Sequence, residues 1–352
     1  MSLLTRLRLT APIFQAPMAG VATPALAAAV SNAGGLGGLG IGTAGIDAAR
    51  KMITETQNLT SKAYNVNLFV HATPLQTESK NEEAFLAALR PLYDEVKLGS
   101  PKSLPDPALS FMDDKPLLEL LLEMRPPVVS FHFGLPPAET IRRFKDLDII
   151  LMATATSLDE LRAVEKAGLD AVIAQGQEAG GHRGVFDPKG QDELLSTLDL
   201  VRQFAQHTSL PIIAAGGIMD GHDINTALQA GAIAAQLGTA FIPCLESTAD
   251  DGFRQALANT QPEDTVFTRL VSGRPARGLR NRYTELENDL AGTTIPDFPI
   301  GYKMTKALTA HAKEVGVDGY EVRWAGTHAA RSRTMPAAEL VSVLMKEMIE
   351  EK

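Results

Sequence analysis

This sequence predicts an α/β fold: a (β/α)8 barrel of the TIM type, with a second, smaller, mostly helical lid domain formed by insertions. Three observations carry that expectation. Eight candidate strands fall at 13–16, 36–39, 65–70, 128–132, 149–153, 171–174, 212–215 and 234–238, and the runs that follow an Ala-Gly stop lack polar alternation. Such runs suit the strands of a parallel sheet that is covered on both faces. The pattern of helix, Ala-Gly, then apolar strand recurs at Ala33-Gly34, Ala167-Gly168 and Ala230-Gly231, with glycine as the helix stop. Finally, an open doubly wound sheet usually ends at about five or six strands, so eight βα units favour a closed barrel.

The elements between the strands follow from local chemistry. Thr23-Pro24 joins an N-cap to a proline at the first helical position, opening a helix over 25–32 that Gly34 ends. Ser157 with Glu160 reads as a capping box, followed by an apolar face of Leu158, Leu161 and Val164. Leu194, Leu198, Val201 and Ala205 share one face of the next helix, and Leu340, Leu344 and Met348 one face of a last helix over 336–350. Two stretches break the alternation. Residues 74–123 hold a helix over 81–96, then Pro101, Pro105 and Pro107, then an apolar segment over 117–124. Residues 244–325 are long, polar and mixed. The expected barrel therefore comprises 1–73, 124–243 and 326–352, and the substrate-side lid comprises 74–123 and 244–325.

Composition excludes several function classes. The chain has 352 residues, is 45% hydrophobic and 21% charged, and contains a single cysteine. Cys244 thus has no partner for an intramolecular disulfide, and no cysteine-cluster or His-spaced metal site is expected. The net charge of −9 argues against a nucleic-acid binder, which needs a basic face. No apolar run is long enough to span a bilayer, and the first eleven residues lack the apolar region of a secretory signal. The expected compartment is the cytoplasm.

The chemistry concentrates at the expected C-terminal ends of the strands. Gln175-Gly176-Gln177-Glu178-Ala179-Gly180-Gly181-His182-Arg183-Gly184 follows the sixth strand directly. Its glycines let backbone amides approach an anion or a ring, and His182 adds a group suited to moving a proton near neutral pH. After the seventh and eighth strands come Gly216-Gly217 and Gln236-Leu237-Gly238-Thr239. Barrels often hold phosphate in those two loops. Neither brings a lysine or arginine, so amides would have to hold the anion. Asn67, Gln175 and Gln236 lie at strand ends, and a carboxamide can both donate to and accept from a heterocycle. His132 lies between Phe131 and Phe133 and reads equally as a site residue or as a structural one. His71, His207, His222, His311 and His328 read as structural or surface residues.

Together, Gln15-Ala16-Pro17-Met18-Ala19-Gly20, Asn67-Leu68-Phe69, Ser130-Phe131-His132-Phe133-Gly134, the glycine-histidine loop and the two later glycine loops resemble the nitronate monooxygenase family. This family was formerly called 2-nitropropane dioxygenase, and its class I branch is the more similar. The resemblance runs from Ala11 to the last helix. It implies a non-covalent FMN in the barrel mouth, contacted by Asn67, Gln175, Gly180, Gly217, Gln236, Leu237, Gly238 and Thr239. It also implies that Ala16, Pro17 and Met18 lie against the flavin ring and that His182 is the catalytic histidine. The implied reaction is oxidation of an alkyl nitronate, such as propionate 3-nitronate, by O2 to an aldehyde or ketone plus nitrite. His182 would either stabilise the anion when protonated or take a proton from a neutral nitroalkane. Similar barrels also include NAD(P)H-dependent FMN reductases of quinone and enoyl-acyl-carrier type, which remain the alternative, as does a non-catalytic flavin or phosphate binder. Arg274, Arg277, Arg280 and Arg282 form a basic run read as a solvated, ion-paired loop, with anion attraction as the sharper reading. Tyr302, with Lys303 or Lys306, is a further candidate for reaching the substrate.

Overall fold

A computed structural model describes residues 1–74, 79–106, 110–290 and 292–350. Pro107 and small parts of both expected insertions lie outside the described residues. Eleven strands occur among those described: β1 Ile13–Gln15, β2 Gly37–Gly40, β3 Tyr64–Phe69, β4 Val128–His132, β5 Ile150–Ala155, β6 Ala171–Gln175, β7 Gly181–His182, β8 Ile212–Ala215, β9 Ala234–Leu237, β10 Thr265–Thr268 and β11 Ala276–Leu279. Eight form one parallel sheet in the order β1-β9-β8-β6-β5-β4-β3-β2. The sheet closes on itself where Phe14 pairs with Leu36. There the Gln15 amide donates to the Leu36 carbonyl (2.8 Å) and the Leu36 amide to that of Ile13 (2.9 Å). This is the expected (β/α)8 barrel, with strand ends within two residues of the expected ones.

Eight helices follow the eight barrel strands in turn: Pro24–Asn32, Ile46–Leu59, Lys115–Met124, Ala138–Lys145, Leu158–Lys166, Thr197–Ala205, Gly221–Gln229 and Ala337–Glu350. Thr23 caps the first through its hydroxyl, with proline next, as expected. Only half of the capping box at Ser157 forms. The Ser157 hydroxyl accepts from the Glu160 amide (3.3 Å), whereas the Glu160 carboxylate accepts from Thr156 and Phe186. The apolar face expected to start at Leu194 is corrected. Leu194 lies before the Ser196 cap, exposed and at positive φ, and the buried face is Thr197, Leu200, Val201 and Phe204. The cap position sets the phase of a helix, and the expected face began two residues ahead of it.

Inside the barrel, Phe14, Leu36, Val128, Ile150, Ile173 and Ile213 fill the N-terminal end. Leu3 and Leu7, around the short helix Leu3–Arg6, pack onto them as a plug. A second apolar cluster lies outside the barrel and unites the two insertions. Phe85, Leu89, Leu92 and Tyr93 of the helix Ser79–Glu95 meet Leu270, Val271, Tyr283, Met304, Leu308 and Tyr320. Leu117, Leu120 and Leu121 of Lys115–Met124 pack instead in the barrel's own cluster, as the helix following β3 must. A small antiparallel sheet, β10-β11-β7, ties the insertion after β9 to the glycine-histidine loop, with Ala276 opposite His182 and Arg277 opposite Gly181. No helix among the described residues is long and apolar enough to cross a membrane.

Candidate active site

A cavity of about 1310 Å³ out to its open mouth lies at the C-terminal ends of the barrel strands, where barrel enzymes carry their chemistry. Asn67, Gln175, Gly180, His182, Gly217, Gln236, Gly238 and Thr239 all line it, as do Ala16, Pro17 and Met18. Leu237 does not. Alternation along β9 turns its side chain outward, into the apolar layer between the strands and the helices, and its carbonyl accepts from the Ala16 amide (2.8 Å).

The loop carrying His182 is held rigidly by its neighbours. Arg183, 1% exposed, donates to the Asp192 carboxylate with two nitrogens (2.8 and 2.9 Å) and to the carbonyls of Gln175 (2.8 Å) and Gly176 (3.0 Å). Gln175 donates through its amide to the His182 carbonyl (3.0 Å) and accepts from the Gly184 amide (2.7 Å). Its carboxamide therefore shapes the loop. Gly180 and Gly181 serve different ends. A Cβ on Gly180 would lie 2.4 Å from the carbonyl carbon of Ala325, whereas Gly181 has open space but a φ of +77°.

Five aromatic rings surround His182: Phe69, Phe133, Phe298, Tyr302 and Trp324, with ring centroids 5.4 to 6.4 Å away. Burial among them, with His132 and Arg274 nearby, pushes its pKa down to about 3, so the imidazole is neutral. Its Nε2 lies 2.9 Å from Ser272 Oγ. Ser272 Oγ also reaches the Arg274 carbonyl (3.3 Å); with its proton directed there, its oxygen accepts from Nε2–H, the arrangement that leaves the histidine's lone pair on Nδ1. His132 is likewise neutral, its pKa pushed to about 4 chiefly by burial. Its Nε2 donates to the His182 carbonyl (3.1 Å), leaving Nδ1 to accept from Thr154 (3.0 Å). Both nitrogens of His132 are engaged, so it buttresses the loop while lining the cavity.

The basic run divides in two. Arg280 and Arg282 are exposed, and Arg282 pairs with Glu95 (2.9 Å) and Glu285 (3.2 Å). Arg274 and Arg277 are buried and have no carboxylate partner among the described residues, which corrects the reading of one solvated loop. Arg274 donates to the Val185 carbonyl (2.6 Å) and lies over the Phe133 ring, 4.3 Å from its centroid. Burial pulls its pKa down to about 10, still a cation at neutral pH. Of the other candidates, Tyr302 lines the cavity, whereas Lys303 and Lys306 are exposed and outside it. Cys244 is a buried thiol pushed up to about 12.

At the far end of the cavity lies a cradle of amides. Among the described residues, the N–H groups of Gly216, Gly217, Ile218, Gly238 and Thr239 donate to no protein acceptor, and all five residues line the cavity. Buried amides are rarely left unpaired, so this concentration of donors fits an anionic ligand. The Asn67 amide donates to Ser130 (2.9 Å to Oγ), and its Oδ1 and the whole Gln236 carboxamide have no protein partner among the described residues. Such a set, the Asn67 oxygen, the Gln236 carboxamide and five unpartnered amides in one cavity, fits a heterocycle that carries a phosphate.

Sequence reasoning missed Phe133, Phe298 and Trp324 around His182, and dismissed His328, which lines the cavity. The lone tryptophan of the chain was the one available signal. Nothing in the spacing connects residues 298 or 324 to 182.

The profile of the nitronate monooxygenase family matches residues 1–347. A nitronate monooxygenase of Paraburkholderia phytofirmans is 50% identical over 347 residues, covering 99% of this chain and 94% of that protein. One of Pseudomonas aeruginosa is 48% identical over 337 residues, covering 96% of each. The solved structure of a nitroalkane oxidase from Streptomyces ansochromogenes superposes with a TM-score of 0.89 at 39% identity, covering 99% of this chain and 98% of that one. The chain therefore belongs to the nitronate monooxygenase family, whose members are oxidoreductases, and that membership implies a flavin cofactor.

Proposed function

We propose that the cavity binds FMN and that the chain oxidises alkyl nitronates, propionate 3-nitronate among them, with O2 to an aldehyde or ketone plus nitrite. One observation carries the reading: a single cavity joins an unpartnered amide cradle to a neutral histidine ringed by aromatic side chains. The cradle at Gly217, Gly238 and Thr239 takes the phosphate. Asn67 and Gln236 face the heterocycle, with Gln175, Gly180 and the backbone of Leu237 completing its walls, and Ala16 to Met18 supply a flat apolar contact. Bound there, the flavin supplies the electron acceptor and the chemistry with oxygen that no side chain can.

The residues of the chain do the rest. Nδ1 of neutral His182 accepts the α-proton of a nitroalkane, and the five rings keep water from competing for it. The positive charge that favours a nitronate anion is the buried guanidinium of Arg274, because His182 does not carry one. The lid formed from the two insertions places Phe298, Tyr302 and Trp324 over the substrate end. The cytoplasm is the proposed compartment, with a small anion and O2 as partners.

Anaerobic mixing of the flavin-loaded protein with a nitronate and, separately, with NAD(P)H tests this reading. The nitronate should change the flavin's visible spectrum rapidly, NAD(P)H should not, and admitting O2 should yield nitrite. Bleaching by NAD(P)H with no response to nitronate would assign the chain to the reductases. In the same assay His182→Ala should keep its flavin and lose about 10²- to 10⁴-fold in turnover of nitroalkanes.

A further inference from the structure

The phosphate end of the cavity has a gap in its charge balance, and filling it rests on the FMN reading. A phosphate monoester is close to a dianion at pH 7. The two loops that cradle it, at 216–218 and 238–239, contribute amides and the Thr239 hydroxyl but no lysine or arginine. Two ionisable side chains pack against Gly217 in these loops, Glu178 and His328, and of the two His328, which arrives from the segment after the lid, lines the cavity.

Its geometry assigns each ring nitrogen a task. Nδ1 lies 2.7 Å from the carbonyl oxygen of Gly217, and a carbonyl can only accept, so Nδ1 carries a proton in every ionisation state. The atom left to face a ligand is therefore Nε2, which has no protein partner among the described residues. The segment is anchored to both sides of the cradle. Gly326 donates its amide to Thr239 Oγ1 (3.0 Å), and Thr327 donates to the Glu178 carbonyl (3.1 Å). The other charged groups nearby are already engaged. The Glu178 carboxylate accepts from the amide and hydroxyl of Thr197 (2.9 Å each). Arg331, one turn beyond His328, pairs with Asp220 and Asp223 beside His222 at the start of the helix Gly221–Gln229.

We propose that His328 is the cationic partner of the flavin's phosphate. Its Nε2 takes up a proton when the phosphate binds and donates to a phosphate oxygen, while Nδ1 holds the Gly217 peptide so that the cradle's amides face the same anion. A phosphate beside an imidazole favours the protonated ring. FMN affinity is accordingly greatest where His328 is protonated and falls as pH rises. Riboflavin, which has the ring but no phosphate, is indifferent to it.

The test is a fluorescence titration of full-length apoprotein with FMN and with riboflavin, between about pH 6.5 and about pH 9. Wild type should lose about tenfold in FMN affinity across that range, the size of a one-unit pKa coupling, with riboflavin affinity flat. His328→Asn keeps an amide donor for the Gly217 carbonyl but cannot be a cation. It should bind FMN about tenfold more weakly at the acid end, lose the pH slope, and bind riboflavin within about twofold of wild type. His328→Ala should show the same selective loss. Wild-type FMN affinity and pH slope in His328→Asn would overturn the proposal. So would equal loss of both flavins, which marks a purely structural role. Failure of wild type to bind either flavin is a different result, because it removes the FMN site itself.

Discussion

At the scale of single residues, the two half-buried histidines of the cavity tie the site's chemistry to the protein's acid stability. His182 and His132 have folded-state pKa values pushed down to about 3 and about 4, against an ordinary imidazole value of 6.5. The folded state thus binds fewer protons than the unfolded chain below pH 6.5. The stability associated with their neutrality is complete above that pH and is lost as pH falls toward the folded values. By pH 5 each histidine should cost up to about 2 kcal/mol. Thermal melting of the apoprotein should therefore show a falling Tm between pH 6.5 and 5, a window above the ordinary carboxylate range. A flat profile there would mean that the imidazoles protonate freely within the fold, and that His182 is available as a cation after all. Gln175 and His132 teach a related lesson. Gln175 was expected at the cavity and His132 read equally as a site or a structural residue; both line the cavity, yet their polar atoms serve the loop before they serve a ligand.

The element that decides the site is the glycine-histidine loop, and its two adjacent glycines should respond differently to the same substitution. Gly180→Ala drives a methyl into the backbone at Ala325 and Gly326, 2.4 and 2.5 Å away, where neither atom can rotate aside. Gly181→Ala meets open space and bears only the cost of a left-handed conformation, about 1–2 kcal/mol. Urea unfolding should therefore show Gly180→Ala to be destabilised by clearly more than Gly181→Ala, with flavin retention lost in the former alone. Equal effects would show that the contact between the loop and residues 325–326 is not what holds His182 in place. This contact, and the pairing of β7 with β11, were not visible in the sequence. A two-residue strand has no periodicity to detect, and its partner lies almost a hundred residues away.

For the whole molecule, the two insertions fold on each other beside the barrel. Tyr320 donates to the Glu95 carboxylate (2.7 Å), with the Leu92 carbonyl 3.0 Å away, and Tyr283 lies 3.0 Å from the Thr305 carbonyl within their shared apolar cluster. Leu89→Ala, at a position 2% exposed in that cluster, should cost about 2–5 kcal/mol locally. Hydrogen exchange should then rise together in 79–96 and 270–320 while the barrel strands keep their protection. Exchange that rises across the whole chain would show the lid and barrel to be one cooperative unit.

The sequence alone determined the barrel, its eight strands, most of its helices, the catalytic end and the position of the glycine loops. These features are written in local apolar runs, caps and glycine stops, each of which acts over a few residues. The family likeness extended that reading to a cofactor and a reaction. Only the tertiary structure decided which atoms remain available. It placed Phe133, Phe298 and Trp324 around His182, buried Arg274 with no carboxylate partner among the described residues, turned Leu237 away from the cavity, and brought His328 to the glycine loop at 216–218. The reason is physical: a pKa, a free hydrogen-bond donor or an uncompensated charge depends on what surrounds a group in space. At the mouth of a barrel, those neighbours come from strands and insertions far apart in the chain.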